Sequence, residues 1–222
     1  MPVLRAISRF ALIASFSIGA VACGSKPPPP AEEPEPPPTE EPKAEPVKKP
    51  DCKALDEKCK ADANTQAKLA HTELVFIPPA GWVYAQEPDL TITQTEEGGG
   101  SLAITAFDGK DPKAKDFKDK RDASVEQLAQ ALGINLPNKA GTKKRATPNW
   151  DKPDGDVKVG DMTLNVWQFE GASRGTKEGP VLYFLGRYGD SAIIGIGFAP
   201  KGDSSDQSIM KALETIGPGS PQ

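Results

Sequence analysis

Residues 26–50, KPPPPAEEPEPPPTEEPKAEPVKKP, hold 11 of the chain's 23 prolines, and they constrain the fold more than any other stretch. Proline fixes φ and has no amide hydrogen, so neither a helix nor a sheet propagates through such a sequence. Polyproline II, which has no internal hydrogen bonds, is the expected conformation. At about 3.1 Å per residue, the tract would reach roughly 75–80 Å at most. Six glutamates and four lysines keep it in water. A disordered tether is therefore expected, dividing the 222 residues into a leader and a body.

The leader carries Arg5 and Arg9, followed by FALIASFSIGAVA at 10–22, which has no charge. As a helix this run spans about 20 Å at 1.5 Å per residue, short of the ~30 Å hydrocarbon core. It is too short for a spanning anchor and has the layout of a secretory signal, so residues 1–22 are expected to be removed.

Cys23 follows directly, behind Ala20, Val21 and Ala22. This arrangement resembles the lipobox of bacterial lipoproteins, although Ala20 stands where Leu is commonest. The resemblance implies that the Cys23 thiol receives a diacylglycerol, that cleavage falls before it, and that the new amino group is acylated. Two or three acyl chains anchor a protein durably, whereas one holds it only marginally. Gly24, rather than Asp, follows the cysteine. By the same resemblance this favours the outer membrane of a double-membrane bacterium, on its periplasmic or surface side.

Two cysteines remain, Cys52 and Cys59, in a segment placed at 51–70. An even remainder in an exported chain suggests a disulfide. The spacing leaves two alternatives. CKALDEKCKADANTQAKLA has helix-forming composition, but one continuous helix would hold the two Cα atoms about 10.5 Å apart. A bridge needs about 4.4–6.8 Å, and so requires a bent or looped segment.

A globular α+β domain is expected at 71–217, with a disordered tail at 218–222. ELVFI, WVYAQ, LTITQT and SLAITAF read as strands. Residues 113–133 read as a helix, with Phe117, Val125, Leu128 and Leu132 on one face and Gly133 at its end. NKAGTKKRATPNW is a weaker, basic stretch, read as a strand ending near Trp150. TLNVWQFEG and PVLYFLGRY are clearer strands, and RYGDSAIIGIGFAP reads as a hairpin on a Gly-Asp turn. DSSDQSIMKALETI closes the domain as a helix capped by Asp203 or Ser204, with Ile209, Met210, Leu213 and Ile216 in one stripe. Grouped strands with short turns imply an antiparallel sheet flanked by helices. Trp82, Trp150 and Trp167 read as core or rim packing.

FIPPAGW at 76–82, the central helix, and IIGIGFAP before an acid-capped terminal helix together resemble the PsbP/Mog1 fold, across about 145 residues. That family packs helices on an antiparallel sheet. Its members include photosystem accessory proteins, a partner of a nuclear-transport factor, envelope lipoproteins and secretion adaptors. The resemblance implies a sandwich of that type serving as a non-catalytic interaction module. It assigns no binding residue to a numbered position.

Lys plus Arg number 27 against 31 for Asp plus Glu, a formal charge of -4. Without Arg5 and Arg9 the balance becomes 25 against 31, or -6. Such a surface repels phosphate backbones, so no nucleic-acid partner is expected. A serine-histidine-acid triad would have to use His71, the chain's one histidine, at the edge of the domain. Asp151, Asp154, Asp156 and Asp161 lack the calcium-loop spacing and read as a solvated turn. Lys143, Lys144 and Arg145 read as a solvated edge, and DPKAKDFKDKRD as an exposed charged helix face. No catalytic, metal or cofactor residue is therefore expected. The leading expectation is an envelope lipoprotein bound to the membrane through lipid, its body meeting a protein partner. The alternative is a small-ligand binder, which predicts an apolar pocket with convergent polar groups between sheet and helix.

Overall fold

The computed structural model describes residues 52–138 and 147–219, all within the unit Val47–Gln222. The leader, Cys23, the tether and the basic run at 143–145 lie outside the described residues.

The described chain is α+β. Strands β1 (Ala67–Lys68), β2 (Leu74–Phe76), β3 (Val83–Gln86), β4 (Thr91–Gln94) and β5 (Ser101–Asp108) precede helix α1 (Lys115–Ala131). Then come β6 (Ile134–Asn135), β7 (Gly155–Val159), β8 (Met162–Arg174), β9 (Lys177–Tyr188) and β10 (Ser191–Phe198). Helix α2 (Ser205–Glu214) and β11 (Gly217–Pro218) end it. The large sheet runs β3-β4-β5-β10-β9-β8-β6, with β7 also paired to β8, and a small sheet runs β1-β2-β11. Every strand pair is antiparallel.

Both faces of the large sheet are covered. Strand side chains alternate between faces. Leu102 and Ile104 of β5, Leu182 and Phe184 of β9 and Ile193 of β10 share one buried cluster with Ile209 and Leu213 of α2. Ala103, Val181, Tyr183, Ile194 and Ile196 point the other way, into a cluster with Val125, Leu128 and Ala129 of α1. Double coverage explains why the central strand β10 is almost wholly apolar instead of alternating. Two glycines of β10 make the close approach possible. A Cβ on Gly195 would lie 2.0 Å from Phe184 Cζ, and one on Gly197 would lie 3.0 Å from Ile209 Cγ2.

Three hairpins are built alike. Gly160, Gly175 and Gly189 take φ of 57°, 58° and 59° as the first residue of two-residue turns. They join β7 to β8, β8 to β9 and β9 to β10. Tight hairpin turns favour glycine at positive φ because their twist matches that of the strands. The expected Gly-Asp hairpin at 189–190 is present.

The Cys52–Cys59 bridge forms, with Cα atoms 6.1 Å apart. The continuous helix does not. Three residues of 3₁₀ helix, Leu55–Glu57, end at Lys58, whose left-handed φ of 52° turns the chain back. The loop then lies along the outer edge of β3. Tyr84 and Gln86 donate their N–H to Cys59 and Cys52 carbonyls at 3.0 and 2.7 Å, and Ala61 N–H donates to Trp82 O at 2.8 Å. It thus covers a sheet edge that would otherwise expose unpaired backbone groups. Cys52, Ala61, Ala67 and Leu69 are buried in the same core as α2, so the segment at 52–70 is built into the body and is not a separate piece.

Other boundaries shift. The helix expected at 113–133 spans Lys115–Ala131, with Gly133 at φ 65° terminating it as expected. Gly217 and Pro218, the last residue of the expected domain and the first of the expected tail, pair with Val75 and Leu74. The loop read as a solvated acidic turn contains β7, whose Val157 is buried. Residues 147–150 contain no strand. At α2, the Asp203 carboxylate accepts the Ser205 N–H at 2.8 Å, whereas the Ser204 side chain makes no capping bond.

Candidate functional site

A cleft of about 430 Å³ opens between α1 and the sheet, where α1 meets the ends of β8 and β9. Phe117, in the first turn of α1, is buried against Phe107 of β5, edge to face with ring centroids 5.3 Å apart. One turn later Arg121 projects from the same side of the helix, as i and i+4 positions do. Its side chain is only 12% exposed, and its Cζ sits 4.5 Å from the centroid of the Trp150 ring. A guanidinium over an indole face is attracted by the ring quadrupole. The Asp122 carboxylate takes up the remaining charge, accepting from Arg121 Nη2 at 2.7 Å.

Trp150 is half-buried and packs edge to face against Trp167 of β8 at 4.9 Å and Tyr183 of β9 at 6.1 Å. Trp167 Nε1 donates to the Asn149 carbonyl at 2.9 Å, which fixes the loop that carries Trp150. The cleft therefore has a rigid aromatic base. Its rim is charged. Lys118 comes from α1, Arg187 from the end of β9, Asp161 from the turn before β8, and Asp151 follows Trp150. All four are exposed, and among the described residues none of them forms an ion pair. Arg187 Nη2 donates to the Lys110 carbonyl at 3.0 Å.

Arg174, at the end of β8, has a different role. Its Nε donates to Leu132 O at 2.6 Å, Nη1 to Gly99 O at 3.4 Å, and Nη2 to Gln94 Oε1. It ties the C-terminus of α1 to the β4–β5 turn, and burial lowers its pKa from the ordinary guanidinium value. All three acceptors are neutral and all belong to this chain, so its task is structural.

The other positions singled out in the sequence do not converge. Cys23 lies outside the described residues. His71 is half-exposed, with Nε2 3.5 Å from Asp89 Oδ1 in open solvent. Asp154 accepts the Gln168 N–H at 2.9 Å, Asp156 sits on β7, and Asp151 and Asp161 line the cleft. Among the described residues no group of three or more His, Cys, Asp or Glu is placed to hold a metal. Also among them, no helix is long and apolar enough to cross a membrane. The charged face at 111–122 forms two exposed i,i+4 pairs, in which Asp119 raises the pKa of Lys115 and Asp116 raises that of Lys120 through hydrogen bonds. Arg121 departs from that face by turning inward. Sequence reading missed it, and the one available signal was its position four residues after the core residue Phe117.

No family model and no curated protein matches the sequence. Among solved structures, a crystal structure from Bacteroides thetaiotaomicron VPI-5482 is similar at 13% identity and a TM-score of 0.39. The match covers 70% of this chain and 50% of that one, so this chain spans about half the length of that protein. A likeness of this extent assigns neither a family nor an activity.

Proposed function

We propose that the protein is a membrane-anchored envelope lipoprotein, held through acyl groups on Cys23, whose tethered α+β body is a non-enzymatic protein-interaction or assembly-accessory module. One observation carries this reading. Two arginines, an uncharged run too short to span a bilayer, small residues and Cys23 occur in that order, directly ahead of a proline tether. The Cys52–Cys59 bridge accords with it, because structural disulfides persist in oxidising compartments. Gly24 after the cysteine supports an outer-membrane destination. An antiparallel sheet with a helix on each face is the architecture expected of a PsbP/Mog1-type module, and we assign the body to that type.

Fractionation of a double-membrane bacterium expressing the full chain tests the anchor. The parent should sediment with membranes and Cys23→Ser should move to the soluble fraction with its body still folded. A Cys23→Ser protein that stays with the membranes would refute anchorage through that thiol.

A further inference from the structure

We propose that the cleft between α1 and the β8–β9 end of the sheet is a binding site for a small zwitterion with an apolar body, namely a free apolar amino acid or a short peptide bearing both its termini. This goes beyond the membrane-tethered reading and does not depend on it.

Three observations point to that class. First, the cavity of about 430 Å³ falls within the range of roughly 300–1,000 Å³ common for small-molecule sites. Second, its base is aromatic and held in place. Trp150 is locked by Arg121, Trp167 and Tyr183, and the loop behind it is fixed by the Trp167–Asn149 hydrogen bond. A preorganised apolar base takes an apolar side chain without first having to order itself. Third, among the described residues the rim charges are balanced and unspent. Lys118 and Arg187 are cations without carboxylate partners, and Asp151 and Asp161 are carboxylates without cationic partners, among the described residues.

The balance decides the class. A purely anionic ligand would bring its charge up against Asp151 and Asp161, and a purely cationic one against Lys118 and Arg187. A ligand carrying an ammonium and a carboxylate on an apolar body finds an opposite charge for each. Arg121 contributes shape instead of charge, since Asp122 and the Trp150 ring already engage its guanidinium.

The test uses the full mature chain in detergent and the dipeptide alanyl-phenylalanine in three forms: free, N-acetylated and C-amidated. Calorimetric titration, with tryptophan fluorescence as a second readout of the cleft's Trp150 and Trp167, measures each affinity. The free dipeptide should bind and perturb the fluorescence. Acetylation and amidation should each weaken binding about tenfold or more, the loss expected when a charged group goes unpaired. The rim is exposed, so its variants should keep the parent melting temperature. Asp151→Asn with Asp161→Asn should erase the preference for a free amino terminus and leave the preference for a free carboxylate. Lys118→Gln with Arg187→Gln should do the reverse. No binding of the free dipeptide at millimolar concentration, equal binding of all three forms, or rim variants that leave both preferences intact would each overturn the proposal.

Discussion

Opening the Cys52–Cys59 bridge should weaken the body and free the edge of β3. The bridge closes eight residues, Cys52 to Cys59, at a sequence separation of 7. In the chain-entropy description a loop of that size is worth about 2.5 kcal/mol at 25 °C through restriction of the unfolded state. For a domain of this size, about 2–4 °C in Tm accompanies each kcal/mol, so the loss should be about 5–10 °C. The structure adds a local signature. Tyr84 and Gln86 donate their amides to carbonyls of the loop, so their hydrogen exchange should accelerate ahead of amides in β5 and β10. Thermal unfolding of the full chain should be compared for three samples: oxidised, reduced with dithiothreitol, and Cys52→Ala/Cys59→Ala. The last two should agree closely, since both open the same loop. An unchanged Tm, or β3 amides as protected after reduction as before, would refute the reasoning that this loop acts as an edge guard.

Gly195→Ala should lower stability by about 1–3 kcal/mol or more, read from the urea midpoint, because its Cβ would fall 2.0 Å from Phe184 Cζ and 2.7 Å from the Ala103 carbonyl oxygen. Leu128→Ala should cost about 2–5 kcal/mol in the same assay, since Leu128 is fully buried where α1 meets the sheet. Arg174→Ala should cost about 1–3 kcal/mol by leaving three acceptors without their donor. That loss should persist in high salt, because the acceptors are neutral. Lys115→Ala, which removes an exposed i,i+4 pair, should leave the urea midpoint unchanged.

Elements with many residues in regular pattern were legible in the sequence. β5, β9 and β10 are long and apolar, and the stripes of α1 and α2 follow helical spacing, so the strand groups, both helices and the sheet type could all be read. Short or conflicted segments could not. β7 alternates Asp156, Val157, Lys158 and Val159 across only five residues, and the aspartates around it resemble a turn. β1 and β11 are two residues each, too short for any periodicity, and exist only because β2 pairs with both. The segment after Cys52 has helix-forming composition, but covalent closure and pairing with β3 outweigh that local preference. The cleft was illegible for another reason. α1, the Trp150 loop, the turn before β8 and the end of β9 meet there from distant parts of the chain, and only the fold brings their residues together.

Mass spectrometry of the mature polypeptide purified from membranes reads the anchor itself. The N-terminal peptide should begin at Cys23 and carry a diacylglyceryl group on sulfur and an acyl group on nitrogen. An unmodified thiol at position 23, or a chain that retains residues 1–22, would contradict it.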